Sequence, residues 1–308
     1  MKLRIGTRGS KLALWQADHV ALWLHEASGG TIETERLIFK TRGDAILDRP
    51  LAEIGGKGLF TKELEVALAA GDIDIAVHSL KDMPTKLPPG LVLGSIPKRG
   101  DVRDAWITRK GEGSATPSTV GTASLRRACL VKRRFADAHV EPIRGNVQTR
   151  LQRVHDAPPR RVDAVVLAWV GLDRIGLTAR DDVLITPIDA ETWIPAVGQG
   201  ALAIECREGD AATLEALGLI HHAPTARAVI AERAFLRGVE GDCRVPVGGH
   251  AVVEPDGSLL LRAFVGAPDG SEFISEVARG SDAEALGQAV AERLMAAGGA
   301  KVLAALRG

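Results

Sequence analysis

Up to residue 206, short apolar runs alternate with amphipathic stretches; beyond 216 the apolar runs lengthen and are separated by turn signals. Leu3–Thr7 is predicted as a strand. The helix after it is capped by Ser10 and carries Leu12, Trp15, Val20 and Trp23 at helical spacing until Gly29-Gly30 stops it. Leu37–Lys40 is a weaker strand, Thr61–Ala70 a helix closed by Gly71, and Ile73–His78 a strand rich in β-branched residues. After Pro97-Lys98-Arg99-Gly100 the alternation resumes. Strands are predicted at Ala105–Thr108, Ser118–Val120, Val140–Ile143 and Val162–Trp169, and helices at Ser124–Phe135 and Asn146–His155. This pattern implies βαβ units and a mostly parallel sheet in each of two α/β lobes. Ala201–Cys206 is a further strand, able to return to the first sheet.

The last part reads differently. Pro224–Arg237 is a helix, and strands at Val247–Glu254, Leu259–Val265 and Glu272–Val277 are separated by Pro255-Asp256-Gly257 and Pro268-Asp269-Gly270. Ser281-x-x-Glu284 is a capping box opening a C-terminal helix. The expected fold class is therefore α/β, with two lobes plus a small α+β C-terminal domain holding a three-stranded antiparallel sheet.

At 308 residues, with 45% hydrophobic and 25% charged positions, the chain is long enough for two or three domains and is not disordered in composition. Lys plus Arg and Asp plus Glu both number 39, so no global charge attracts nucleic acid or a membrane surface. The distribution changes that picture. Residues 126–161 hold ten basic side chains against three acidic ones, a local excess of seven that the rest of the chain offsets. Lys132, Arg133 and Arg134 read as a solvated helix face. Arg126-Arg127 instead follow the loop Gly121-Thr122-Ala123-Ser124 at a helix start, and Arg144 precedes Gly145-Asn146. Such junctions expose backbone N–H groups and hydroxyls, and arginine adds a planar grip on carboxylates. Base stacking needs aromatics among the cations, and this stretch offers only Phe135, so a polyanionic small molecule fits better than nucleic acid.

Three cysteines, with no C-x-x-C pair, argue against a disulfide framework. Cys129 and Cys206 lie inside predicted elements, whereas Cys243 sits in a Gly/Pro-rich loop beside Arg244, where a thiolate is favoured. Met1–Arg8 lacks an apolar signal core and no window spans a membrane, so a cytoplasmic location is expected. Gly55-Gly56-Lys57-Gly58 is not a phosphate loop, since Gly58 replaces the required Ser or Thr. Gly198-Gln199-Gly200 precedes a strand instead of opening a helix, which removes a dinucleotide reading. No metal site is expected, because His221-His222 are adjacent and poorly spaced for one coordination sphere. Arg8-Gly9-Ser10-Lys11 puts a cation and a hydroxyl at a helix start. His78-Ser79-Leu80-Lys81-Asp82 falls at the carboxyl end of a buried strand, where ligands collect in open α/β sheets. Taken alone, Asp82 is either a general acid/base or an ordinary surface turn residue.

Ile5 through Gln16, Gly55-Gly56-Lys57-Gly58-Leu59-Phe60, His78-Ser79-Leu80-Lys81-Asp82-Met83-Pro84, Gly121 through Arg127, Arg144-Gly145-Asn146-Val147, Pro195 through Gly200 and Cys243 together resemble the porphobilinogen deaminase (hydroxymethylbilane synthase) family, in order and over nearly the whole chain. The resemblance implies two lobes like those of periplasmic binding proteins joined by a hinge, with domains at 1–97 plus 194–212, 98–193 and 216–308. It also implies a transferase that joins four porphobilinogens head to tail, releasing four ammonias, to give hydroxymethylbilane for tetrapyrrole synthesis; a monomer is expected, since no exposed apolar heptad run suggests a coiled-coil dimer. Cys243 would carry a dipyrromethane cofactor through a thioether, with Lys81, Ser124, Arg126, Arg127, Arg144 and Gly145 around it. Asp82 would be the catalytic carboxylate. Arg8, Ser10, Lys57, Thr122, Arg150 and Arg174 would bind substrate and the growing polypyrrole. Three positions depart from the family pattern: Asp242 for glycine, Glu53 for lysine, and Ala168-Trp169-Val170-Gly171 for Ala-x-Ala-Gly.

The chemistry agrees with the residues. Loss of ammonia from an aminomethylpyrrole leaves a cationic azafulvene, which a fixed carboxylate stabilises while shuttling pyrrole protons. Each ring adds two carboxylates, which the local basic excess can hold. A solute-binding module on the same fold would leave Cys243 and Asp82 idle, and a nucleic-acid binder would show strongly salt-dependent oligonucleotide affinity.

Overall fold

The computed structural model describes residues 1–41, 43, 58–112, 116–239 and 245–307. The chain divides into two compact units. One takes in the described residues through Gly100 together with Gly198–Ala226; the other takes in Asp101–Val197 and the described residues from Arg227 onward.

In the first unit, β1 (Lys2–Arg8), β2 (Glu33–Phe39), β3 (Ile75–Ser79), β4 (Leu91–Ser95) and β10 (Leu202–Arg207) form one sheet in the order β2-β1-β3-β10-β4. The helix Lys11–Ala27 starts at Ser10, whose Oγ accepts from the Ala13 N–H, and buries Ala13, Ala17, Val20 and Leu24 at helical spacing. Those side chains pack on Leu3, Ile5, Ile75, Val77 and Ile204. Strand β2 is longer than its apolar run suggested. It is an edge strand paired in parallel with β1 from Lys2↔Glu33 to Arg8↔Phe39, and its exposed polar positions mask it in sequence.

In the second unit, β5 (Asp104–Arg109), β6 (Thr119–Gly121), β7 (His139–Glu141), β8 (Ala164–Ala168) and β9 (Val183–Pro187) form a sheet in the order β7-β6-β8-β5-β9. A separate antiparallel sheet holds β11 (Val247–Val253), β12 (Leu259–Gly266) and β13 (Phe273–Gly280) over a core of Phe235, Val290, Leu261 and Leu303.

Three expectations need correction. The α/β sheets are mixed, not mostly parallel: β10 runs antiparallel to β3 and β4, and β5 antiparallel to β8 and β9. In each sheet this strand enters against the direction set by the βαβ units. The helix after Asn146 ends at Gln152, because the Arg153 carbonyl is taken by the Val162 N–H. The cap of Ala283–Leu294 is Asp282, whose Oδ1 accepts from Ala285, and not Ser281.

Candidate functional site

Two clusters of the expected residues form, one in each unit. In the first unit β1 delivers Arg8, and Ser10 stands at the start of the following helix; β3 delivers His78 and Ser79, and the short turn Leu80–Asp82 presents Asp82. Arg8, Ser10, Gln16, His78, Ser79 and Asp82 line one recess. The Arg8 guanidinium lies 4.1 Å over the Phe60 ring, which closes another side. Gln16, 3% exposed, donates from Nε2 to Ser79 Oγ at 2.8 Å and so ties the first helix to the end of β3. Lys81 Nζ donates to Gln199 Oε1 at 3.4 Å.

The discarded glycine motif has a structural use. Gly198 has φ of +72°, and a Cβ there would come within 3.0 Å of Leu80 Cγ and 3.2 Å of the Lys81 N atom. The left-handed backbone and close approach let the turn bearing Asp82 sit against the Gly198–Gly200 loop. Gly198→Ala is expected to lower unfolding stability by about 1–3 kcal/mol and to reduce turnover, as read by urea denaturation and ammonia release.

Glu205 was not singled out in sequence, although an acidic residue inside the apolar run Leu202–Cys206 is a signal. On β10, beside β3, it is fully buried, and its Oε2 lies 3.2 Å from Nε2 of the buried His78. Burial, with the Glu205 charge adding to it, pushes the neighbouring Glu65 carboxyl up.

In the second unit, Ser124 caps Leu125–Arg134, and Thr122 Oγ1 accepts from the Ser124 N–H at 3.2 Å. Arg126 and Arg127 are 3% and 6% exposed and converge on the fully buried Asp104. Arg127 Nη2 donates to Asp104 Oδ1 at 2.8 Å; Arg126 Nη2 and Trp193 Nε1 donate to Oδ2 at 2.6 and 2.9 Å. Burial alone would raise the Asp104 pKa, but the two guanidinium charges outweigh it and hold the carboxyl far below the usual carboxylate range. Burial pulls Arg126 below its ordinary value despite Asp104. Neither Asp104 nor Trp193 carried a recognisable signal. The buried Arg126 Nε, which meets no acceptor among the described residues, suits an anionic group.

Gly145 has φ of +102°, and its carbonyl accepts from Arg150 Nε at 2.8 Å; Arg144, next to it in the chain, is half-buried. Arg174 ends the helix Trp169–Arg174 and is buried, which pushes its pKa down to about 10. Arg133 and Arg134 are exposed, with Arg133 stacked 4.0 Å over Phe273. Lys57, Cys243, Glu53 and Asp242 lie outside the described residues. Among the described residues no three His, Cys, Asp or Glu side chains are placed to hold a metal ion, and no helix is long and apolar enough to cross a membrane.

Two family models match the sequence: "Porphobilinogen deaminase, dipyromethane cofactor binding domain" over residues 3–215 and "Porphobilinogen deaminase, C-terminal domain" over 226–296. The porphobilinogen deaminase of Trichlorobacter lovleyi is 47% identical over 306 residues, covering 98% of this chain and 96% of its own. That of Thiobacillus denitrificans is 48% identical over 309 residues, covering 99% and 98%. Among solved structures, the methionine-binding protein MetQ aligns at a TM-score of 0.42 and 13% identity, over 71% of this chain and 89% of its own.

Proposed function

Because the chain belongs to the porphobilinogen deaminase family, we propose that Asp82 is its catalytic carboxylate and that the buried and half-buried arginines grip pyrrole carboxylates. The enzyme deaminates four porphobilinogens and joins them head to tail into hydroxymethylbilane on a covalently bound dipyrromethane. The observation that carries the site assignment is the recess where Asp82 shares a wall with Arg8 and Ser10.

Arg8 and Ser10 bind the acetate or propionate of an incoming ring, a charge-assisted pairing that orients it. An Asp82 carboxylate oxygen accepts the pyrrole N–H. Ammonia leaves with the C–N electron pair, and the electron-poor methylene left behind is stabilised by the adjacent negative charge. A carbon–carbon bond to the next pyrrole then forms, and Asp82 takes the displaced α-carbon proton and releases it. Lys81 and Gly198 keep that turn in place.

When bound, dipyrromethane supplies the pyrrole α-carbon from which the chain is extended. Cys243 would hold it covalently, and Arg126, Arg127, Arg144, Lys81, Ser124 and Gly145 would hold its carboxylates; the two guanidinium groups gathered on Asp104 support this. Thr122, Arg150, Arg174 and Lys57 serve the substrate rings. Residues 216–308 act as the attachment module, supported by their own sheet and core. The enzyme works as a cytoplasmic monomer on a small molecule, not on nucleic acid; two buried free thiols, Cys129 and Cys206, are in keeping with a reducing compartment.

Brief exposure to porphobilinogen followed by intact-mass measurement tests the reading. A ladder of species rising by one deaminated pyrrole at a time is expected. Ammonia release without any enzyme-bound ladder would refute growth on the protein.

A further inference from the structure

We propose that Asp104 is a positioning residue for the anion grip, fixing the planes of Arg126 and Arg127 so that their remaining N–H groups meet the carboxylates of the bound pyrroles. This rests on the reading of those two arginines as cofactor-binding residues.

The geometry singles out Asp104. It opens β5, an interior strand paired to β8 on one side and β9 on the other, so its carboxylate stands on a rigid support. Both of its oxygens are used, one by Arg127 and the other by Arg126 and Trp193. The second terminal nitrogen of each guanidinium is fixed by a backbone carbonyl: Arg126 Nη1 to Ile194 at 2.8 Å and Arg127 Nη1 to Val166 at 3.1 Å. Each planar group is therefore held at two points, which sets where its other N–H bonds aim. Arg126 Nε is buried without an acceptor among the described residues.

Stability alone does not account for the cluster. Two cations and one anion out of water cost desolvation, and apolar replacements of similar volume serve a core at least as well. One carboxylate here serves two guanidinium groups. Asp104 thus lowers mutual repulsion between the guanidinium groups without neutralising the pair.

The test uses chain purified unloaded from cells that cannot make porphobilinogen, then supplied with porphobilinogen while the mass shift of adduct formation is followed. Asp104→Asn keeps the shape and removes the charge; Asp104→Glu keeps the charge and moves it by one methylene. Both are expected to need about tenfold more porphobilinogen for half-maximal loading, the scale of one charged hydrogen bond misplaced. Trp193→Phe, which removes only the third hydrogen bond, is expected to raise that concentration by a smaller factor and keeps the question answerable if Asp104→Asn does not fold. A purely structural role would lower the melting midpoint and leave half-saturation unchanged, which would overturn the proposal. So would faster loading of Asp104→Asn, since charge balance alone would then govern. Arg126→Leu and Arg127→Leu are run alongside. If they load normally, the cofactor-binding reading itself is wrong; if they fail while the Asp104 and Trp193 variants load like the parent chain, only the positioning role is.

Discussion

Asp82→Asn is expected to lower turnover of the loaded enzyme by about 10²–10⁴-fold, the range of a lost general acid/base group. Asn retains the size of Asp and one carbonyl acceptor, so the pyrrole N–H still finds a partner. It carries no charge to stabilise the methylene cation and cannot take the α-carbon proton. Asp82 is exposed at the end of a short turn, so the substitution leaves the core intact and costs little stability. The dipyrromethane is expected to stay in place, since on the proposed attachment Cys243 and not Asp82 carries the bond. Ammonia release paired with intact mass measures both halves; near-normal ammonia release would contradict the assignment.

Glu205→Ala is expected to lower stability by about 1–3 kcal/mol, the scale of a buried polar group that loses its polar neighbour. Glu205 and His78 have side chains 0% and 4% exposed at a separation of 3.2 Å. Without the carboxylate, the buried His78 imidazole loses the polar group beside it. Replacing both partners, as in Glu205→Leu with His78→Leu, is expected to recover most of the loss, since no charged or strongly polar group then remains buried. Urea unfolding of the two single variants and the double variant measures the coupling. Additive effects would show that the pair does not interact.

The helix Lys11–Ala27 was legible from its buried face at helical spacing, and the strands β3, β8 and β10 from nearly continuous buried apolar runs. β4 was missed because Gly94 interrupts it, and β9 because its apolar run is only Val183-Leu184-Ile185 before Thr186 and Pro187. The mixed direction of the sheets was hidden for a different reason: periodicity reports which face a strand buries and not which way it runs. At the site, Asp82, Arg8, Arg126 and Arg127 were singled out as candidates through their junction positions and the family resemblance. Asp104, Trp193 and Glu205 were not, because partners distant in sequence meet only when the strands are assembled: Asp104 and Trp193 are 89 residues apart. The role of Gly198 is likewise invisible to periodicity: its left-handed backbone seats the turn that bears Asp82.

Intact mass tests the central claim most directly. The parent chain and Cys243→Ser are purified from cells that make porphobilinogen and weighed before any substrate is added. The account predicts a parent chain heavier than its sequence by a two-pyrrole unit, and a variant at its sequence mass with no hydroxymethylbilane formation. A parent chain at its bare sequence mass that still turns over porphobilinogen, or a Cys243→Ser chain that retains the adduct, would contradict it.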